Sequence, residues 1–149
     1  RLLVFPNETL VPQRTLLLVD DDPQIRFVLE RLFSREGYRV LQAGRGTEAL
    51  ELLALHEVDV VVSDGDMPEM DGAELLRRVS AMYPKTLRIL LSGALDLRLI
   101  ARSVNQGEIF KFLTKPWKTA ELREAVREAF RVIEERRITT QSHSSAAAR

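Results

Sequence analysis

The feature that most limits what this chain can fold into is a regular alternation of short apolar runs with longer segments of helical periodicity. Five runs of leucine or β-branched residues are separated by stretches in which apolar residues recur every three or four positions. The runs are TLLLV (15–19), YRVLQ (38–42), VDVVVS (58–63), TLRILLS (86–92) and IFKFLT (109–114). These β–α units predict an α/β fold in which helices cover both faces of a buried parallel sheet.

The ends of the predicted helices carry the residue types that usually cap helices. Asp22-Pro23 indicates an N-cap followed by proline at the first helical position, and Asp71 and Asp96 are predicted N-caps of later helices. Gly37 and Gly107 stand where left-handed C-caps are expected. The predicted helices begin near residue 23 and then cover about 46–56, 72–82, 96–106 and 119–138.

The segments outside this alternation set the predicted domain boundaries. Residues 1–14 carry two prolines and no clear period, so we interpret them as an N-terminal extension. Residues 15–133 form the predicted domain. Residues 134–149 are predicted to hold the end of the last helix and a disordered tail, because the tail is small and polar.

Charge and composition exclude several classes of function. The 22 basic and 22 acidic residues cancel, which argues against nucleic acid or an anionic membrane as a direct partner. The chain has no cysteine and therefore no disulfide, as is usual in a reducing cytoplasm. No apolar run approaches the roughly 20 residues that span a bilayer. We therefore expect a cytoplasmic domain that contacts neither nucleic acid nor membrane directly.

Polar side chains follow four of the five predicted strands. Asp20 and Asp21 follow the first, Asp64 follows the third, Ser92 ends the fourth and Lys115 follows the fifth. Ligands of doubly wound sheets bind beyond the carboxyl ends of the strands, which meet at one edge. These carboxylates, the hydroxyl and the ammonium are therefore expected to share one site.

Clustered carboxylates repel one another and need a compensating cation, for which Mg²⁺ is the natural choice among hard divalent metals. Asp20 and Asp21 are the candidate metal ligands, and Asp66 can add its backbone carbonyl while its side chain is solvated. A carboxylate beside Mg²⁺ can attack phosphorus and form an aspartyl phosphate. Asp64 is the candidate nucleophile.

Together these motifs resemble the receiver domain of two-component response regulators, over about residues 15–133. The matching motifs are LLLVDDDP, VVVSDGDMPEMDG, LLSG and FKFLTKPW. The resemblance implies a flavodoxin-like, doubly wound sheet of five parallel strands in the order 2-1-3-4-5, with five helices. It also implies a phosphoacceptor signalling domain rather than an enzyme. Autodephosphorylation would be its own hydrolytic step, and any enzymatic output domain would lie outside this chain.

The resemblance assigns the acidic residues to phosphoryl transfer and metal binding. Asp64 would accept the phosphoryl group from the phosphohistidine of a histidine kinase or phosphotransfer protein. Mg²⁺ (or Mn²⁺) would be held by Asp20, Asp21, Asp64 and the backbone carbonyl of Asp66. Asp21 would bind the ion directly and Asp20 through a water molecule.

The resemblance also implies a switch. Lys115 would pair with the phosphoryl oxygens, and Ser92 would hydrogen-bond to the group and draw its loop inward. Phe112 occupies the position of the switch aromatic, although simple core packing would explain it equally well. The responding surface would be the fourth helix, the fifth strand and the fifth helix. That surface would contact an output domain or protein, and it is the expected contact surface of a homodimer.

Two alternatives remain open on the residues alone. A haloacid-dehalogenase-type phosphatase also carries Asp-x-Asp after an apolar strand, but its acidic pair follows the nucleophile, whereas Asp20-Asp21 precedes Asp64. A receiver-like interaction module that never accepts phosphate usually lacks an acid or the lysine, and all are present here. His56 and His143 stand apart from the acids and are assigned no role.

Overall fold

The structure of the chain is a computed structural model that describes residues 2–4, 10–93 and 97–147. Within these ranges a small sheet precedes a larger one. The small sheet pairs β1 (Leu2–Val4) with β2 (Leu10–Pro12) in antiparallel orientation. Part of the predicted N-terminal extension is thus paired, which the sequence did not indicate because three-residue apolar runs carry no readable period.

The larger sheet is the predicted five-stranded parallel sheet. Its strands are β3 (Thr15–Val19), β4 (Arg39–Ala43), β5 (Val60–Asp64), β6 (Leu87–Ser92) and β7 (Lys111–Thr114). They lie in the order β4-β3-β5-β6-β7, and every neighbouring pair is parallel. Counted along the chain this order is 2-1-3-4-5, so the predicted topology is confirmed.

Five helices connect and cover the strands, as predicted. They are α1 (Pro23–Arg35), α2 (Gly46–Leu55), α3 (Gly72–Met82), α4 (Leu97–Asn105) and α5 (Thr119–Ala147). The carboxylates of Asp22 and Asp71 accept hydrogen bonds from the amides of Gln24 (2.9 Å) and Glu74 (2.8 Å), so both predicted N-caps are confirmed. The third predicted N-cap, Asp96, lies outside the described residues.

The two predicted left-handed caps are also present. Gly37 has φ of 91° and Gly107 has φ of 76°, a region that side chains with a Cβ rarely adopt. Each follows the end of a helix and turns the chain toward the next strand. Glycine at these positions therefore sets the approach of β4 and β7 to the sheet.

The core consists of two apolar layers, one on each face of the sheet. Successive residues of a strand point to opposite faces, so Leu16 and Leu18 pack under α1 and α5 while Leu17 and Val19 pack under α2 and α3. All five residues of β3 and of β5 are buried. This burial on both faces explains why the central strands are nearly continuous apolar runs.

The last helix is longer than the sequence suggested. α5 runs without interruption from Thr119 to Ala147, through residues for which we predicted the helix end and a disordered tail. Neither proline nor glycine occurs in this stretch to stop the helix. Arg137 also holds the helix to the sheet, because its Nη2 lies 3.3 Å from Oδ1 of Asp59.

Candidate functional site

Three aspartates come together at the carboxyl edge of the sheet. Asp20 follows β3 directly, Asp21 is the next residue, and Asp64 is the last residue of β5, the neighbouring strand. One carboxylate oxygen from each lies within 4.8 Å of the others. Asp20 and Asp64 are both 3% exposed, whereas Asp21 faces solvent. The acids that the sequence placed at this edge therefore form one cluster.

The carboxylate of Asp20 is only half satisfied. Its Oδ1 accepts a hydrogen bond from the amide of Asp22 at 2.8 Å. Its Oδ2 is buried and has no hydrogen-bond partner in the described part of the chain. Burial, together with the negative charge of Asp64, raises the pKa of Asp20 to about 6. A buried acid with a free oxygen is poised to accept a cation.

Asp64 is paired with a lysine that directly follows β7, the outer strand of the sheet. Nζ of Lys115 lies 2.5 Å from Oδ1 of Asp64, and the amide of Asp66 donates to the same oxygen at 3.2 Å. Burial lowers the pKa of Lys115, but the hydrogen bond to Asp64 and the charges of Asp64, Asp20 and Asp66 outweigh this and raise it overall. Lys115 thus remains an ammonium group.

Ser92 lies beside this pair at the end of β6. It is 4% exposed, and its carbonyl accepts a hydrogen bond from the amide of Lys115 at 3.0 Å. A Cβ at Gly65 would come within 2.8 Å of both Cβ and Oγ of Ser92. Glycine directly after Asp64 therefore lets the serine side chain pack close to Asp64.

Asp66 is exposed, but its side chain also makes a hydrogen bond within the protein. Its Oδ2 accepts a hydrogen bond from the amide of Gly93 at 3.3 Å. This contact joins the loop after β5 to the loop after β6. The predicted use of its backbone carbonyl as a metal ligand stays a prediction.

Phe112 lies on β7, opposite Leu90 of β6, and not within the acidic cluster. The ring is partly buried and packs on the apolar layer beneath α2 and α3. This placement satisfies the core-packing interpretation. The switch role of Phe112 stays a prediction.

Sequence reasoning missed Gly72, the first residue of α3. A Cβ at Gly72 would lie 2.1 Å from the carbonyl oxygen of Asp64, and its amide donates to the carbonyl of Gly65 at 3.1 Å. The helix can approach Asp64 this closely only because Gly72 has no side chain. The glycine that ends the motif MPEMDG was the signal available in the sequence.

The histidine and tryptophan at the periphery have no direct part in the cluster. His56 lies at the end of α2, where its Nδ1 is 3.4 Å from Nη2 of Arg39. The side chain of His143 lies outside the described residues. Trp117 packs on the layer beneath α1 and α5, and lines a groove of about 690 Å³ together with Asp22 and part of α1.

The donor set at this edge fits a hard divalent cation. Mg²⁺ prefers carboxylate and carbonyl oxygens, and the cluster offers three carboxylates, one of them with a buried free oxygen. Lys115 supplies one positive charge against three negative ones, so the cluster retains a negative charge that a divalent cation would balance. The residues present therefore suit Mg²⁺.

A doubly wound sheet with acids and a lysine at its carboxyl edge defines an α/β domain suited to a divalent metal and a phosphoryl group. A family model described as the response regulator receiver domain matches residues 16–127. The chain belongs to the receiver domain family of two-component response regulators. Receiver domains are signalling domains that interact with histidine kinases or phosphotransfer proteins.

Curated relatives agree with this assignment. Sporulation initiation phosphotransferase F of Bacillus subtilis is 34% identical over 112 residues, which cover 75% of this chain and 90% of that protein. Hydrogenase transcriptional regulatory protein HoxA of Bradyrhizobium diazoefficiens is 35% identical over 117 residues, 78% of this chain. The chain spans only 24% of the length of HoxA.

Solved structures share the fold. The receiver domain of an HD domain-containing protein from Pseudomonas fluorescens matches with a TM-score of 0.78 and 44% identity, over 83% of this chain and 99% of that one. A CheY-like receiver domain protein from Methanospirillum hungatei has the same TM-score at 26% identity, over 84% and 99% of the two chains. In residues 2–4, 10–93 and 97–147, no helix is both long and apolar enough to cross a membrane.

Proposed function

We propose that Asp64 accepts a phosphoryl group from the phosphohistidine of a histidine kinase or phosphotransfer protein. A carboxylate oxygen of Asp64 attacks phosphorus, the P–N bond to the histidine breaks, and the imidazole leaves with its electron pair. The observation that carries this proposal is the ammonium of Lys115, 2.5 Å from Asp64, beside two further carboxylates. The arrangement offers a nucleophile together with positive charge for the phosphoryl oxygens.

The proposed reaction depends on Mg²⁺ or Mn²⁺. Asp20, Asp21, Asp64 and the carbonyl of Asp66 are the proposed ligands, with Asp21 direct and Asp20 through water. The chemistry that the ion supplies when bound is neutralisation of charge on the carboxylates and the phosphoryl oxygens. The buried, unpaired Oδ2 of Asp20 supports this part of the proposal.

Lys115 and Ser92 have distinct proposed roles. In the unphosphorylated domain Lys115 balances Asp64, and after transfer its ammonium donates to a phosphoryl oxygen instead. The hydroxyl of Ser92 donates to another phosphoryl oxygen and draws the following loop toward Asp64. Because Ser92 is held on β6 directly against Gly65, a small displacement suffices for this contact.

The proposed response is a shift of the surface formed by α4, β7 and α5. The phosphoryl group contacts Ser92 and Lys115 in only one arrangement of their loops and so favours that arrangement. Phe112 on β7 turns inward as Ser92 moves. The surface then addresses an output domain or protein, or pairs two copies of the domain. Relatives of this chain include transcriptional regulatory proteins and an HD domain-containing protein.

The proposal is tested by intact-mass measurement after incubation with Mg²⁺ and a small phosphodonor. We expect one phosphoryl adduct on the wild-type protein and none when Mg²⁺ is removed with EDTA. Asp64→Ala is expected to give no adduct, and Lys115→Ala to fold but to be a poor signalling protein. Asp71→Ala is the matched control, because Asp71 is an exposed N-cap outside the cluster. An adduct that persists in Asp64→Ala refutes the assignment of the nucleophile.

A further inference from the structure

An arginine of α1 reaches back to the loop that carries the acidic pair. Nη1 of Arg26 donates a hydrogen bond of 2.5 Å to the backbone carbonyl of Asp20. The side chain of Arg26 is partly buried, so this contact is partly shielded from bulk water. The carbonyl belongs to the peptide that joins Asp20 to Asp21. The guanidinium therefore holds the peptide plane from which the exposed Asp21 projects.

Gly44 makes room for this arginine at the end of the edge strand β4. A Cβ at Gly44 would lie 3.2 Å from Nη1 of Arg26 and 3.7 Å from its Cζ. The shorter of these two contacts, to Nη1, is tighter than an ordinary van der Waals distance, so a side chain at Gly44 would press on the guanidinium. The tip of β4 adds no polar group to the site, and its glycine instead gives Arg26 its place.

The remaining hydrogen bonds of the loop act on other groups. The amide of Asp20 donates to the carbonyl of Ala43 at 3.1 Å, and the Asp20 carboxylate accepts from Asp22. The amide of Arg26 itself donates to the carbonyl of Asp22 at 3.1 Å, which is the first turn of α1. Among the described residues, the hydrogen bond that acts on the carbonyl between the two acids thus comes from the side chain of Arg26.

We propose that Arg26, seated against Gly44, is a positioning residue that orients the Asp20–Asp21 peptide for divalent-metal binding. This inference rests on the proposed function, because it concerns the metal that phosphoryl transfer requires. Groups that orient metal ligands without touching the metal commonly affect metal affinity by an order of magnitude or more. Arg26 has this relation to the acidic pair through the backbone rather than through a ligand side chain.

Charge and positioning predict opposite results for the loss of Arg26. The guanidinium is a positive charge close to a site for a cation, so its removal would strengthen Mg²⁺ binding if charge alone mattered. A positioning role predicts weaker binding, because the released peptide lets Asp21 sample other orientations. The sign of the change in Mg²⁺ affinity therefore separates the two.

The experiment measures Mg²⁺ binding to the metal-free chain by titration calorimetry. Arg26→Gln is expected to weaken Mg²⁺ binding about tenfold. Gly44→Ala and Gly44→Val keep the arginine but crowd it, and we expect a smaller loss for Ala than for Val. Arg35→Gln removes a positive charge from an exposed position of α1 and is the matched control, with affinity expected to stay at the wild-type value.

A second readout needs neither metal nor phosphoryl transfer. Amide hydrogen exchange of residues 20–22 in the metal-free protein is expected to accelerate in Arg26→Gln and Gly44→Val but not in Arg35→Gln. If Arg26→Gln does not fold by circular dichroism, the glycine series carries the test. Unchanged exchange with equal or tighter Mg²⁺ binding in Arg26→Gln and Gly44→Val overturns the inference. Failure of the wild-type protein to bind Mg²⁺ or accept a phosphoryl group would instead refute the proposed function.

Discussion

The two edges of the parallel sheet treat buried charge in opposite ways. At the amino edge, Arg88 at the start of β6 is 6% exposed, and its guanidinium donates to the carbonyls of Thr86 (2.7 Å), Gly107 (2.7 Å) and Glu108 (2.9 Å). At the carboxyl edge, Asp20 is also buried, and it keeps an oxygen with no partner in the described ranges. A satisfied buried charge stabilises the fold, whereas an unsatisfied one is available to a ligand.

The satisfied edge also secures the element next to the site. Arg88 joins the loop before β6 to the turn after α4, because Gly107 and Glu108 lie in the segment that follows the end of that helix. Burial lowers the pKa of Arg88. Backbone carbonyls accept the hydrogen bonds that its buried guanidinium would otherwise donate to water. The amino edge thus holds one end of α4, while the other end is connected to Ser92 at the carboxyl edge.

The largest expected effect comes from breaking the satisfied edge. Arg88→Met leaves the backbone carbonyls that its guanidinium contacts without their donor, and we expect it to lower the free energy of unfolding by about 4 kcal/mol. Urea denaturation followed by circular dichroism measures this. Arg102→Met removes an exposed arginine of α4 and is expected to change stability by less than about 0.5 kcal/mol. Equal losses of stability from the two substitutions would mean that the hydrogen bonds of buried Arg88 do not stabilise the fold.

The next effect comes from neutralising the unsatisfied edge. The pKa of Asp20 is about 6 in the folded metal-free protein and 3.8 as the ordinary value, so the unfolded chain loses this proton at lower pH. Ionised Asp20 therefore destabilises the fold. The free energy of unfolding falls by up to about 3 kcal/mol on its account as the pH rises from about 4 to about 6.

Asp20→Asn tests this pH dependence. In EDTA, the variant is expected to gain stability over the wild-type protein as the pH rises through that window, and to keep the gain at pH 8. Chemical denaturation at a series of pH values provides the measurement. If the difference in free energy of unfolding between the two proteins stays constant from pH 4 to pH 8, the buried charge of Asp20 does not destabilise the fold.

A smaller effect is expected from removing the cation of the unsatisfied edge. Lys115→Met leaves Asp64 without its ammonium partner, and we expect the metal-free protein to lose about 2 kcal/mol of stability at pH 8. Mg²⁺ should restore part of the loss, because it supplies the missing charge. Lys118→Met, at an exposed position nearby, is the control. Loss of equal size in both variants would mean that Lys115 stabilises through its apolar stem.

The sequence carried most of the fold because its signals are local. The apolar runs, the capping residues Asp22 and Asp71, and the left-handed Gly37 and Gly107 each act within a few residues. Parallel topology then brings the strand ends to one edge, so the acidic cluster followed from strand positions alone. The extent of α5 was not predictable, because a small, polar sequence without proline or glycine does not itself mark where a helix stops.

Contacts between distant elements lay beyond the reach of the sequence. Whether Arg26 meets the Asp20 carbonyl depends on how α1 packs against β3 and β4, and Gly44 gains its meaning only from that contact. Arg88 lies within an apolar run of the sequence. That run does not indicate that the guanidinium is buried and donates to backbone carbonyls. Such residues are set by tertiary packing, which local periodicity does not encode.

The smallest expected effect is spectroscopic. Trp117 lines the groove beside α1 that also includes Asp22, two residues after Asp20. We expect its fluorescence emission to change when Mg²⁺ and a phosphoryl mimic such as beryllofluoride are added. Asp64→Ala with the same additions is the control for effects unrelated to the site. Unchanged emission in the wild-type protein would mean that the site and Trp117 are not coupled.

We expect the carboxyl edge of the sheet to take up a phosphoryl group on one defined carboxylate. Peptide mapping by mass spectrometry, after brief reaction with a small phosphodonor and Mg²⁺, tests it most directly. We expect a single modified residue, Asp64, and no modification when EDTA is present. Modification of any other residue, or of Asp64 to the same extent without a divalent metal, would contradict it.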